Sequence, residues 1–262
     1  MLVLTPLLTV MARNWLFRNA MVVSVDDQIG TVHNCDVLVK DGIIAEVGPN
    51  IATPSPDVAI IDATNAILSP GFVDTHRHMW QTQLRTVTGD YTLIDYVINI
   101  RNKYGSCYTP DDAYLGNLCG ALESLDCGTT CILDHSHIMS SPAHADAALE
   151  GLRASRFRGV FCYGLYANPI FANRDVSKGT ALVTDNEKWR LEDSARIRRE
   201  KFTSNNADQL LRFGFAPSEV ERVPIEQSID EIQHGRSLGA AIVTAHVGLA
   251  KYDIGNYVVR TC

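Results

Sequence analysis

The sequence predicts an α/β protein, a small β unit followed by a partial β/α barrel with about five strands of the eight that close such a barrel. Residues 15–61 alternate in the manner of strands and turns. After Pro70 the rhythm changes to apolar strand, loop and helix, repeated. Near-continuous apolar strands alternating with helices call for a parallel sheet covered by helices, which a barrel or a doubly wound sheet would both satisfy. No strand is followed by the glycine-rich phosphate turn of a dinucleotide or nucleotide fold, and that favours the barrel.

In order along the chain, "MLVLTPLLTV" is apolar but has no charged leader, is shorter than a membrane span, and reads as an extension over 1–14, with Met11 as an alternative start. The β unit follows over 15–68. "NAMVVSVDD" alternates, and "DVLVKDGIIAEVG" is two apolar runs around Asp41-Gly42, a hairpin signal. "NIATPSPD" is a loop before the short strand "VAIIDAT".

The barrel region occupies 69–262, with strands expected at 71–78, 129–137, 159–166, 211–218 and 240–247. Between them, Thr109-Pro110-Asp111-Asp112 opens a helix with a cap, a proline and early acids. Leu115, Leu118, Leu122 and Leu125 form its expected apolar stripe, and Gly128 ends it. Ser141-Pro142 opens another helix in the same way, and "TDNEKWRLEDSARIRREKF" reads as a solvated outer helix.

Composition narrows the function classes. With 46% hydrophobic and 20% charged residues the chain is an ordinary globular one, and its net charge of -7 argues against a nucleic-acid partner. No membrane partner is indicated; a small-molecule ligand fits, and a homo-oligomer is compatible. Seven cysteines without a Cys-x-x-Cys pair suggest neither a disulfide framework nor a thiolate zinc site, so the expected compartment is reducing and cytoplasmic.

The histidines carry the chemistry. In "SPGFVDTHRHMWQ", His76 and His78 are one residue apart, so they share a face if the stretch is extended. They fall at the C-terminal end of the first barrel strand, His135 and His137 at the end of the second, and His246 at the end of the fifth. Barrel strand ends converge on one mouth, where active residues sit. Neutral imidazoles from His76, His78 and His246 would suit one divalent metal, zinc first and iron second, and leave a position open for water whose pKa the metal lowers. Trp80 and Tyr91 suggest an aromatic-lined pocket.

These residues resemble a known family. "SPGFVDTHRHMWQ" after "DVLVKDGIIAEVG", then "ALESLDCGTTCILDHSH" and "TAHVG", look like the metal-dependent amidohydrolase superfamily, in its chlorohydrolase and cytosine/guanine deaminase-like branch. The resemblance runs from about Trp15 to about Ala250. It implies a distorted barrel with an accessory β-sandwich and one catalytic zinc or iron, with His76 and His78 matching the strand-one ligands and His246 the strand-five ligand. Gln81 falls where related members place a substrate-contacting side chain, and His137 is the other candidate substrate contact. The binuclear branch, similar to dihydroorotase and urease, carries a strand-four lysine that "LRFGFAPS" lacks, so a mononuclear site is expected.

Two departures accompany the match. Related deaminases commonly place a proton-shuttling Glu three residues after the strand-five histidine, and Leu249 stands there. The family's strand-six histidine and strand-eight aspartate have no counterpart, and the barrel region is shorter than the roughly 250 residues of a full barrel. The expectation is therefore a metal-dependent hydrolase acting on C–N or C–halogen bonds of a small cyclic or heteroaromatic substrate. The alternative is a truncated, catalytically inactive remnant or interaction protein with an open strand edge.

Overall fold

The computed structural model describes residues 14–168, 188–221 and 223–247. Apart from Asn14, the expected N-terminal extension lies outside the described residues, as does Leu249. The chain divides into two compact units, Met1–Gly71 and Phe72–Cys262.

The first unit contains β1 (Trp15–Val23), β2 (Thr31–Lys40), β3 (Ile43–Gly48), β4 (Ala59–Asp62) and β5 (Ile67–Leu68). The β2–β3 hairpin forms where Asp41-Gly42 placed it: Asp41 and Gly42 have φ of 49° and 79°, the left-handed pair that a tight hairpin turn needs. The strands form one mixed sheet in the order β3-β2-β1-β4, with β5 also on β1. This unit, expected as half of the accessory β-sandwich that the resemblance implied, is a single sheet, because β4 and β5 pair in succession along the same edge of β1. Leu16, Leu38, Ile51 and Val58 pack together, and Ala20, Val22, Cys35, Val37 and Ala63 form a second cluster. Buried Asp36 ties this unit together: Arg18 donates at 2.6 Å, and the backbone N–H groups of Asn19 and Ile51 each donate at 3.0 Å. Burial opposes the charge of Asp36, yet these donors hold its carboxyl below the usual carboxylate range.

The second unit begins with β6 (Phe72–Arg77), a 3-10 turn (Met79–Leu84), α1 (Leu93–Tyr96), a π-helical stretch (Val97–Tyr104), α2 (Gly105–Cys107) and α3 (Pro110–Asp126). It continues through β7 (Thr129–Ser136), α4 (Pro142–Ser155), β8 (Arg158–Gly164), α5 (Trp189–Lys201), β9 (Leu211–Ala216) and α6 (Ile225–Ser237). The four strands form a wholly parallel sheet in the order β6-β7-β8-β9. The segment expected as a fifth strand joins β9 through a single parallel bridge, Phe215 to Val243. The Ala241 N–H to Phe213, Phe215 N–H to Ile242 and Thr244 N–H to Phe215 bonds still run it alongside β9, which brings His246 to the strand ends.

Alternation along the strands separates two interiors. Phe161, Tyr163, Phe213 and Phe215 pack in the main core with residues of α4 and α5, while Val160, Cys162, Tyr166 and Ala216 pack on the other face beside Leu133. Helix α3 starts as expected, with a reciprocal Thr109–Asp112 capping box and Pro110 in its first turn. Its leucine stripe is a correction: Leu115, Leu122 and Leu125 are exposed, and the buried face is Ala113, Gly116, Asn117, Gly120, Ala121 and Ser124. Close approach explains this, since a Cβ on Gly116 would meet the Trp80 carbonyl oxygen at 2.5 Å, where a leucine has no room. Helix α5 is also less solvated than its charges suggested. Asp193 is buried and accepts from the Tyr163 hydroxyl at 2.9 Å and Arg196 Nε at 2.6 Å, while buried Arg190 donates to the Met139 carbonyl at 3.0 Å.

Candidate metal centre

Five imidazoles meet at the C-terminal ends of β6 and β7 and beside the end of β9. The His76 ring centroid lies 4.9 Å from His78, 5.1 Å from His135 and 4.9 Å from His246. His78 stacks on His137 at 4.0 Å, and His135 stacks on His246 at 4.4 Å. The Nε2 atoms of His76 and His246 face each other at 3.1 Å. Two lone pairs cannot be held so close unless a proton or a metal ion lies between them or draws both. One ligand nitrogen from each of His76, His135 and His246 lies within 4.8 Å of the others.

The surroundings fix individual nitrogens. His78 Nδ1 lies 2.7 Å from the His135 carbonyl, so Nδ1 carries the proton and Nε2 the lone pair. The Trp80 indole N–H donates to His137 Nδ1 at 3.0 Å, which puts the His137 proton on Nε2, a buried donor with no hydrogen-bond partner among the described residues. Asn168 Nδ2 holds the His137 carbonyl at 2.7 Å. The Tyr166 hydroxyl lies 2.9 Å from His135 Nε2 and 3.2 Å from His246 Nδ1. Burial holds His76, His135 and His137 below the ordinary histidine pKa and takes His78 down to about 3, despite the His135 carbonyl acting in the other direction on His78. Neutral imidazole is the form that ligates metal.

Asp134, on the opposite face of β7 from His135, braces the ring from behind. It accepts from the Met79 N–H at 3.0 Å and from Asn117 Nδ2 at 3.3 Å, and burial pushes its carboxyl up to about 7. It thereby fixes the backbone immediately after His78.

A cavity of about 500 Å³ opens in front of the histidines, a size that suits a small ligand. His76, His78, His137 and His246 line it, as do Gln81 and Tyr96, whose side chains are joined by a 2.6 Å bond from Gln81 Nε2 to the Tyr96 hydroxyl. The expected aromatic lining is corrected: Trp80 is buried in the core against Tyr108, and Tyr91 packs on that core, so Tyr96 supplies the aromatic wall. The 3-10 turn after His78 causes this by directing the indole toward Gly105.

Sequence reasoning missed Arg101 and Glu219, which also line the cavity. Arg101 rides on the π-helical stretch, its guanidinium 4.8 Å over the Tyr166 ring, and Glu219 Oε1 lies 3.5 Å from it and 3.2 Å from His246 Nδ1. Two signals existed: Thr92-x-x-Asp95 is the capping box that opens α1, and Glu219 is an acid just beyond a parallel strand's C-terminal end.

No family model matches the chain. The chain is 33% identical over 150 residues to a 5'-deoxyadenosine deaminase of Methanosarcina barkeri, covering 57% of this chain and 33% of that protein. It is 35% identical over 159 residues to a 5-methylthioadenosine/S-adenosylhomocysteine deaminase of Desulforudis audaxviator, covering 60% and 36%. Among solved structures, a triazine hydrolase variant superposes with a TM-score of 0.74 at 18% identity, over 90% of this chain and 54% of that one. An adenosine deaminase from Xanthomonas campestris with bound zinc gives 0.68 at 19%, over 87% and 48%. These similarities support a place in the amidohydrolase superfamily. The chain spans about a third of the length of the curated relatives it matches. Among the described residues no helix is long and apolar enough to cross a membrane.

Proposed function

We propose that this chain carries the metal-binding part of an amidohydrolase that uses water to cleave a C–N bond, or a C–halogen bond, on a small heteroaromatic ring. One observation carries the reading: the His76 and His246 Nε2 atoms meet at 3.1 Å beside His135 at the wall of a ligand-sized cavity. The donor set fits a divalent ion, since all are imidazoles, burial holds His76, His78 and His135 neutral, and His135 Nδ1 is buried without a hydrogen-bond partner among the described residues. His76, His78 and His246 would hold the ion, zinc before iron, with His135 within reach of the same position. Such an ion supplies a Lewis acid that makes water a nucleophile near neutral pH.

The chain's own residues provide the rest. His137 Nε2–H is fixed by Trp80 as a donor and meets an acceptor nitrogen or oxygen of the ring substrate, while Gln81, locked to Tyr96, limits its orientation. Adenosine-type nucleosides and triazines are the substrate classes that the related deaminases and the structurally similar hydrolases suggest. The parallel sheet is read as the first strands of a β/α barrel, the β unit before it as a separate domain, and the free thiols of the described cysteines as fitting a reducing, cytoplasmic setting.

A second reading, a catalytically silent interaction protein, is favoured by the exposed apolar edge of β6, where Phe72 and Val73 are 73% and 64% exposed. Ammonia release from 5'-deoxyadenosine and methylthioadenosine, and chloride release from a chlorotriazine, separate the two. The hydrolase reading expects zinc-dependent turnover that His76→Asn abolishes. Metal binding without turnover of any of these compounds contradicts it and leaves the second reading.

A further inference from the structure

We propose that Glu219 is a positioning residue of this centre: its carboxylate accepts the Nδ1 proton of His246 and so keeps the His246 Nε2 lone pair turned toward His76. The inference rests on the histidine ring being a metal site. Glu219 Oε1 lies 3.2 Å from His246 Nδ1, while Nε2 on the far side of the same ring lies 3.1 Å from His76 Nε2. A carboxylate only accepts, so a hydrogen bond to it admits one tautomer, with the proton on Nδ1 and Nε2 free for a ligand.

The Tyr166 hydroxyl is equally near His246 Nδ1, at 3.2 Å, but it can either donate or accept, and its oxygen also lies 2.9 Å from His135 Nε2, which competes for its single proton. It therefore cannot specify the His246 tautomer by itself. Glu219 is itself held. Its side chain is 16% exposed, Arg101 NH1 lies 3.5 Å from Oε1, and that guanidinium is parked over the Tyr166 ring at 4.8 Å. The other oxygen, Oε2, is buried with no hydrogen-bond partner among the described residues, so the carboxylate is committed to this pocket rather than to solvent.

The test uses the full chain as wild type, Glu219→Ala, Glu219→Gln and Tyr166→Phe. Zinc affinity is read by competition with a chromophoric chelator, cobalt coordination by visible absorption, and metal-free stability by thermal unfolding. The expected result is a 10- to 100-fold weaker zinc affinity in Glu219→Ala, the range typical of groups that orient a ligand. Partial rescue in Glu219→Gln, whose amide oxygen still accepts, an altered cobalt spectrum and an unchanged metal-free unfolding temperature complete the expectation. Zinc affinity in Glu219→Ala within twofold of wild type overturns the inference alone. So does a lower metal-free unfolding temperature that accounts for the lost affinity, or a loss confined to Tyr166→Phe. Wild-type chain that binds no zinc overturns both the inference and the reading beneath it.

Discussion

Asp36 in the first unit and the histidine ring in the second are both buried polar clusters, and they differ in whether their hydrogen bonding is complete. Asp36 meets the Arg18 guanidinium and two backbone N–H groups, and no atom of its carboxylate is left over. Around the ring, His135 Nδ1, His137 Nε2, Glu219 Oε2 and Arg101 Nε are buried without a hydrogen-bond partner among the described residues. Each such atom costs about 1–3 kcal/mol. A cluster that only held the fold together would close on itself, as the one at Asp36 does. A cluster built for the proposed ion and substrate would instead leave atoms to spare, as this one does.

The comparison breaks most visibly when each cluster is cut. The pair His76→Asn with His246→Asn is expected to weaken zinc binding by more than about 100-fold, beyond the loss typical of orienting residues. The metal-free unfolding free energy of that double variant should equal the wild type or exceed it, as denaturant titration would show. Asp36→Ala should do the reverse, lowering stability by roughly 2–3 kcal/mol through the loss of charge-assisted bonds while zinc affinity stays unchanged. If both substitutions moved both properties, the distinction would not stand.

The smallest effect concerns pH. Folding holds His78 at about 3 and keeps His76, His135 and His137 below 6.5, so below pH 6.5 the unfolded chain binds protons that the folded chain refuses. Stability is therefore present above about pH 6.5 and lost as pH falls toward the folded pKa values. The urea midpoint of the metal-free chain should be lower at pH 5.5 than at pH 7.5; a midpoint that rises on acidification would contradict the burial of these rings.

What could be read from the sequence was what local chemistry decides. Asp41-Gly42 dictates a hairpin turn because both residues must take positive φ, and Thr109-Pro110 caps a helix whatever packs on it. The alternation that puts His76 with His78 and His135 with His137 is also a local property. What depended on distant partners was not legible. The leucines of α3 were read as its core face, yet the glycines and alanines opposite them allow the close approach to the 3-10 turn and α4. The 240–247 segment has strand-like composition, but only its contact with β9 decides that it makes a single bridge. His135 was expected at the mouth but not among the ligands, and Glu219 reaches His246 across a sequence separation of 27, a contact that no spacing rule announces. Trp80 shows the opposite error: an aromatic beside the motif was taken for pocket lining, and it serves instead by fixing the proton of His137 from within the core.

The most direct test of the metal centre is the metal content of the purified chain, measured by elemental analysis after dialysis against trace-metal-free buffer and reconstitution with zinc. The account predicts about one tightly held zinc per chain, as expected for a mononuclear imidazole site, and none in the His76→Asn and His246→Asn double variant. A wild-type chain that retains no zinc, or a double variant that retains as much, would contradict it.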